Sequence, residues 1–309
     1  MKKELMLVIH QGALGDFILI LPFLELLKKA YEIDIFCKDQ NRKVASFFSI
    51  ANKTFPIESS IFSSIFLSKP DKLLRDILRS YKNILIFSFS RQILESLSSI
   101  VDKECKLFLV SPRPNPKLRI HVAEFIKEEL IKLGLIKENE VAYPKLRKRK
   151  ETQITIIHPG AGSVRKRWDI SKFLELFHLL ESNGMKCKFL IGPSEMDLKD
   201  ILPKDKLIIT QDIRKVIEIL SLAEGFIGND SGLSHLSAFM GVPTLVIFGP
   251  SDPIRWRPIG EKVEVIRGVD CEPCFEIKDK NCLDPMCFNA IRVRDVFEKY
   301  LNLISSGHP

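Results

Sequence analysis

No stretch of this 309-residue chain stays apolar for the ~20 residues that a bilayer-spanning helix requires. The opening "MKKELMLVIHQGALGDFILILPFLELLKK" imitates a secretory leader, with two lysines ahead of apolar residues. Yet "HQGALGD" interrupts it, Pro22 and Glu25 break "FILILPFLELL", and no small-residue cleavage site follows. A cytosolic chain without a transmembrane segment is expected. Also absent are the G-x-x-x-x-G-K-[ST] loop of P-loop enzymes, the G-x-G-x-x-G dinucleotide fingerprint and the G-x-S-x-G elbow of α/β-hydrolases. There is no short-period repeat, no low-complexity tract and no aromatic-rich basic face. These absences argue against fibrous and disordered classes and against nucleic-acid binding.

What is present is ordinary for a globular protein: 45% hydrophobic and 28% charged residues, enough chain for about two domains of ~150 residues. The net charge of +8 suits an anionic substrate or membrane surface, although a lysine excess also serves solubility alone. Strand-like runs "LMLVI", "IDIFC", "ILIFSF" and "KLFLV" alternate with helical patterns such as "DKLLRDILRSY" and "HVAEFIKEELIKLGL". The polar stretch "KENEVAYPKLRKRKETQ", with its basic run Lys145 to Lys150, reads as a linker. A second series follows: "ITIIH", "SKFLELFHLLESNG", "CKFLIG", "KLIIT", "DIRKVIEILSLA", "GFIGN" and "PTLVIFG". Alternation of this kind predicts two doubly wound parallel sheets built from βαβ units. The last helical pattern, "VRDVFEKYLNLI", fits either domain.

Each half opens with a strand feeding a glycine-containing loop. In the first, "LVIHQGALGDFILILP", Asp16 sits at a helix start. A carboxylate there is either a cap or a general base. In the second, "ITIIHPGAGSVRKRW", the small residues Gly160 to Ser163 permit close backbone approach to a ligand, and Lys166 offers a compact charge to a diphosphate. Trp168 reads as packing. Further on, "GFIGNDSGLSHLSAFMGVP" places Asp230, Ser231 and His235 where a strand ends and a helix begins, the edge of an open α/β sheet at which ligands bind. Free N–H groups and the helix dipole favour an anion there. Ser231 and His235 share a helix face; the plain alternative makes Asp230 or Ser231 a cap and His235 an interfacial residue.

Together "GALGDFILILPFL", "HPGAGSVRKRW", "GNDSGLSHLSAFMGVPTLVIFGPSDPIRW" and "CEPCFEIKDKNCLDPMCFNAI" resemble glycosyltransferase family nine, the ADP-heptose:lipopolysaccharide heptosyltransferases. The resemblance implies an α/β GT-B fold, two Rossmann-like doubly wound domains facing a central cleft. Residues 1–148 would bind the acceptor and 149–309 the nucleotide-sugar donor. It further implies an inverting transfer of heptose, or a related sugar, from an ADP-activated donor to a lipopolysaccharide inner-core acceptor, at the cytoplasmic face of the inner membrane and without a catalytic metal. Asp16 matches the position of the catalytic base. Lys166, Asp230, Ser231, Gly232, His235, Ser163 and Gly162 match the donor site. Two departures bear on loop shape: Leu233 and Ser234 stand where many relatives have Pro-Met, and Asp169 replaces a proline.

Cys271, Cys274, Cys282 and Cys287 form C-x2-C-x7-C-x4-C, whereas Cys37, Cys105 and Cys187 are scattered. Four clustered thiols in a cytosolic chain suit a structural Zn or Fe, with free thiols as the alternative. Competing readings are another nucleotide-sugar enzyme of this fold, such as an epimerase, a non-catalytic nucleotide-binding sensor, and a Ser-His-Asp hydrolase. The last is disfavoured because Ser231 and His235 share one helix.

Overall fold

The computed structural model describes residues 3–139, 153–269, 271–276, 282 and 285–305. The chain divides into two compact units, Met1–Asn115 with Val122–Tyr143, and Pro116–His121 with Pro144–Pro309. The expected boundary between 148 and 149, and the basic run 145–150, lie outside the described residues.

The first unit carries β1 (Glu4–His10), β2 (Tyr31–Cys37), β3 (Lys53–Pro56), β4 (Asn83–Phe87) and β5 (Lys106–Val110), in the order β3-β2-β1-β4-β5. Every neighbouring pair is parallel. Parallel strands covered on both faces read as continuous apolar runs, which is why β1 and β4 are so plain in the sequence. The helix Leu14–Leu27 is buried along most of its surface and runs without interruption through Pro22. Leu7, Ile9, Phe36, Leu74, Leu78, Ile84 and Leu97 belong to one apolar cluster of this unit.

The second unit carries β6 (Ile154–His158), β7 (Lys186–Ile191), β8 (Leu207–Ile209), β9 (Gly225–Asn229), β10 (Thr244–Ile247) and β11 (Val263–Ile266), in the order β11-β10-β9-β6-β7-β8, again all parallel. The C-terminal helix Val293–Ser305 belongs here: Val296, Tyr300 and Leu303 join Trp168, Phe173, Phe177 and Phe189 in its core. The Tyr300 hydroxyl lies 2.7 Å from Thr155 Oγ1 inside β6. Its ring fills the space beside Gly225, where an added Cβ would come within 2.2 Å of the hydroxyl. Pro116–His121, although between β5 and a helix of the first unit in sequence, is anchored to the second. Arg119 grips the buried Asp252 with Nε at 2.8 Å and Nη2 at 3.2 Å. His121 Nε2 lies 2.8 Å from the Arg257 carbonyl, and the buried Arg255 donates to the Leu118 carbonyl.

In each sheet the chain starts in the middle, winds outward to one side, then returns to the other side of its first strand. The direction of winding reverses between β1 and β4, and between β6 and β9. Such switch points leave a crevice at the strand carboxyl ends.

Two predictions follow from the packing. Tyr300→Phe leaves the buried Thr155 hydroxyl without its partner and should destabilise the second unit by about 1–3 kcal/mol; an unchanged urea midpoint would contradict the contact. The second concerns buried imidazoles. Burial, with Lys38 adding to it, lowers His10 from 6.5 to about 3. Burial also lowers His235 to about 4, with Lys166 and His121 acting in the same direction against Asp230. The unfolded chain binds these protons below about pH 6.5 while the folded chain does not, so the stability they contribute is present above that pH and lost as pH falls toward the folded values. Acidification from pH 7 to 5 should cost each unit on the order of 2 kcal/mol, read as a lower urea midpoint; a midpoint independent of pH over that range would contradict it.

Candidate functional site

The second switch point gathers the loops that follow three adjacent strands, β7, β6 and β9. Asn229, the last residue of β9, is fully buried and ties two of them together. Its Nδ2 donates to the carbonyls of Pro159 at 2.8 Å and Gly160 at 3.2 Å, and its Oδ1 accepts the Trp168 N–H at 2.9 Å. A side-chain amide satisfies donor and acceptor needs of an irregular loop at once, so the loop after β6 is fixed against the end of β9. Trp168 itself is buried against Phe173, ring centroids 5.1 Å apart, in agreement with a packing role. Asp169 caps the helix Ile170–Ser182 by accepting the Ser171 hydroxyl and the Ser171 N–H, both at 2.8 Å, and these bonds, the hydroxyl's foremost, hold its carboxyl below the usual range.

Within this frame Lys166 Nζ meets Asp230 Oδ2 at 2.9 Å. The lysine side chain is 16% exposed and the aspartate 7%, so the pair is largely withdrawn from water. Ser231 is the N-cap of the helix Gly232–Phe239, its Oγ accepting the Ser234 N–H at 3.4 Å. Ser234 is drawn in as well: its Oγ donates to the Asn229 carbonyl at 2.5 Å and lies 3.2 Å from Ser231 Oγ. The Ser231 hydroxyl is thus engaged as a cap. Gly232 begins the helix with its amide at the positive end. His235 is buried and neutral at physiological pH, and its Nδ1 has no hydrogen-bond partner among the described residues. Gly162 is exposed, and a Cβ there would meet nothing within 4 Å, so the backbone of this loop is open to approach. Ser163 is half-buried on the same loop, its carbonyl accepting the Lys166 N–H at 2.9 Å.

The loop after β7 adds a residue that sequence reasoning missed. Glu195 is 5% exposed, accepts the Gly192 N–H at 3.0 Å and lies 3.8 Å from Arg167. Its side chain occupies the space a Cβ on Gly160 would need, with contacts of 2.4–2.5 Å, so Gly160 and Glu195 fit only as a pair. The spacing Gly192 to Glu195 is that of a helix-start acid, the one signal by which it could have been found. Asn229 carries no comparable signal.

Asp16 lies in the other unit, at the switch point beside β1. Its Oδ2 accepts the Ala13 N–H at 3.1 Å, a capping contact at the start of the helix Leu14–Leu27. Gly12 packs tightly against it: a Cβ there would meet His10 Cε1 at 2.7 Å and Asp16 Cβ at 2.8 Å. Asn41 Nδ2 holds the Gly12 carbonyl at 3.1 Å. The residue is half-buried.

Of the clustered cysteines, Cys274 and Cys287 are buried while Cys271 and Cys282 are exposed. Burial pushes the Cys287 thiol up, and Cys271, Cys274 and Cys282 push it further against the opposing Arg267. Among the described residues no three His, Cys, Asp or Glu side chains converge as metal ligands. Residues 277–281 and 283–284, in the same segment, lie outside them.

Comparison with known proteins agrees with this architecture. The lipopolysaccharide heptosyltransferase 3 of Escherichia coli is 24% identical over 95% of this chain and 97% of its own length. A glycosyltransferase family 9 structure from Veillonella parvula superposes with a TM-score of 0.78 at 17% identity, covering 99% of both chains. The E. coli ADP-heptose lipopolysaccharide heptosyltransferase II gives 0.75 at 17% identity, over 98% of this chain and 99% of that one. These likenesses establish the fold, two Rossmann-like domains of the GT-B class. The family model described as glycosyltransferase family 9 (heptosyltransferase) matches residues 85–283. The chain belongs to that family and is a sugar-transferring enzyme.

Proposed function

We propose that the enzyme transfers heptose, or a closely related sugar, from an ADP-activated donor to a lipopolysaccharide inner-core acceptor, with inversion at the anomeric carbon. The observation that carries the donor half is the cation Lys166, held at the β6/β9 switch point beside the amino end of the helix Gly232–Phe239. A diphosphate set there gains an ammonium and free backbone N–H groups, and both strengthen as charge develops on departing ADP. Asp230 repels phosphate and therefore orients Lys166 and accepts sugar hydroxyls. The neutral His235 donates to or accepts from the donor without adding charge. Glu195, an acceptor-only group when ionised, suits hydroxyls on the donor rather than its phosphates.

For the acceptor half, Asp16 takes the proton of the attacking hydroxyl. Its half-buried position in the first turn of the helix that follows β1, at the first unit's own switch point, supports that role alongside the capping one. In a single displacement the acceptor oxygen bonds to the anomeric carbon as the bond to the diphosphate breaks. The acceptor proton goes to Asp16 and the electron pair leaves with ADP. A lipid-borne acceptor would bring the enzyme to the cytoplasmic membrane face. No helix among the described residues is long and apolar enough to cross a membrane.

A structural zinc or iron on Cys271, Cys274, Cys282 and Cys287 is kept as a proposal for that segment as a whole, supported by the C-x2-C-x7-C-x4-C spacing of the four thiols. Purified protein should then hold about one equivalent of metal and lose it when Cys274 and Cys282 are changed to serine. Freshly reduced, chelator-free protein without metal on elemental analysis would end that proposal.

The functional reading is tested by incubating the enzyme with ADP-heptose and a panel of truncated core acceptors, free and in vesicles, and weighing the product. A mass gain of one heptose on one acceptor is expected. Donor turnover without acceptor would favour an epimerase or hydrolase, and binding without turnover a sensor. In the same assay Asp16→Asn should keep the fold and ADP affinity while transfer falls ~10²- to 10⁴-fold, the usual share of a general base. Near-normal turnover would reduce Asp16 to a cap.

A further inference from the structure

The cysteine-bearing segment reaches the lysine of the candidate donor site through one aromatic ring. Lys166 Nζ stands 4.9 Å from the centroid of the Phe275 ring, and the Arg165 guanidinium approaches the same ring at 5.7 Å. The ring is not loosely draped. The backbone N–H groups of Cys274 and Phe275 both donate to the Pro250 carbonyl, at 2.9 and 3.0 Å, which fixes the chain just before the ring. Just after it, Glu276 is held by the buried Arg255, Nε to Oε2 at 2.8 Å, and by Trp256 Nε1 at 3.2 Å. Arg267 secures the far end, donating to the Cys271 carbonyl at 2.8 Å.

We infer that Phe275 is a positioning residue for Lys166. An ammonium has three N–H groups and four flexible methylene units behind it, so its position in a binding site must be imposed from outside. Asp230 takes one N–H, but it also offsets the charge that a diphosphate needs. An aromatic face attracts the cation without neutralising it and without offering a rival anion, and it leaves another N–H direction open. With carboxylate on one side and ring on another, Lys166 meets the phosphates already placed, and less rotamer freedom is lost on binding. This inference rests on the donor-site reading above.

The probe is ADP, titrated calorimetrically into wild-type protein, Lys166→Ala, Phe275→Leu, Phe275→Tyr and the Lys166→Ala/Phe275→Leu double variant, with thermal melting to confirm each fold. Phe275→Met replaces Phe275→Leu should the latter not fold. Lys166→Ala should weaken ADP about tenfold to a hundredfold. Phe275→Leu should weaken it about threefold to tenfold, while Phe275→Tyr, which keeps the ring face, stays near wild type. In the Lys166→Ala background the Phe275 change should add nothing, since a ring that acts through the lysine has nothing left to act on. Adenosine, which has no phosphates, should bind wild type and Phe275→Leu alike. Unchanged or tighter ADP binding by Phe275→Leu, beside a weakened Lys166→Ala, would overturn the role of Phe275 and leave the donor site standing. Equal loss of ADP and adenosine would also overturn it, making the ring a stacking or purely structural surface. Unchanged ADP affinity in Lys166→Ala would remove the donor-site reading, and this inference with it.

Discussion

The contact between Lys166 and Asp230 sets the terms for everything around it in the second unit. Their atoms are 2.9 Å apart and both side chains are mostly withdrawn from water, so neither charge can be left alone without a large desolvation cost. That cost fixes where the loop after β6 must lie, because the lysine on it has to reach the residue that follows β9. It also explains why the loop is secured so heavily. Asn229 bonds three of its backbone groups, Arg167 bonds to Asp197 and to the Ser194 carbonyl, and Glu195 fills the place next to Gly160. An ion pair of this kind keeps a cation at the loop while leaving the pair electrically balanced.

The sheet order makes such a meeting possible. β6 and β9 are neighbours in space, with β7 and β8 between them in sequence, so residues 64 positions apart arrive at one crevice. The first unit repeats the device, with β1 and β4 flanking its own switch point and Asp16 on the helix that leaves it. Buried histidines sit at the ends of both opening strands. His10 packs between Phe17 and Phe87, and His158 Nδ1 lies 2.8 Å from the Leu190 carbonyl, each held in its neutral form chiefly by burial.

Much of the fold could be read from the sequence because strands covered on both faces leave nearly unbroken apolar runs; β1 and β4 are of this kind, while β2 and β6 are interrupted by the buried Asp34 and Thr155. The short strands β3 and β11, four residues each at the sheet edges and only partly buried, leave no such trace. The helix Leu14–Leu27, packed on nearly all sides, has enough burial to hold its course through the one backbone bond that Pro22 cannot donate. The second-unit attachment of Pro116–His121 depends on Arg119 and Arg255 finding partners more than 130 positions away, which no local pattern reveals. In the site, Lys166, Asp230, Ser231, Gly232 and His235 were legible because loop glycines, a cap and a charge stand at strand ends. Asn229 and Glu195 were not, since their roles lie in loops they hold rather than in chemistry they display. The segment around Phe275 drew notice for its sulfurs, while the ring between them, against Lys166, went unread.

The central claim is spatial: ADP binds where the loops after β6 and β9 meet in the second unit. Amide hydrogen exchange with and without saturating ADP measures this directly. The account predicts slowed exchange at the amides of residues 160–166 and 230–234, with the core strands unchanged. Protection confined to other segments, with these loops exchanging as before, would contradict it.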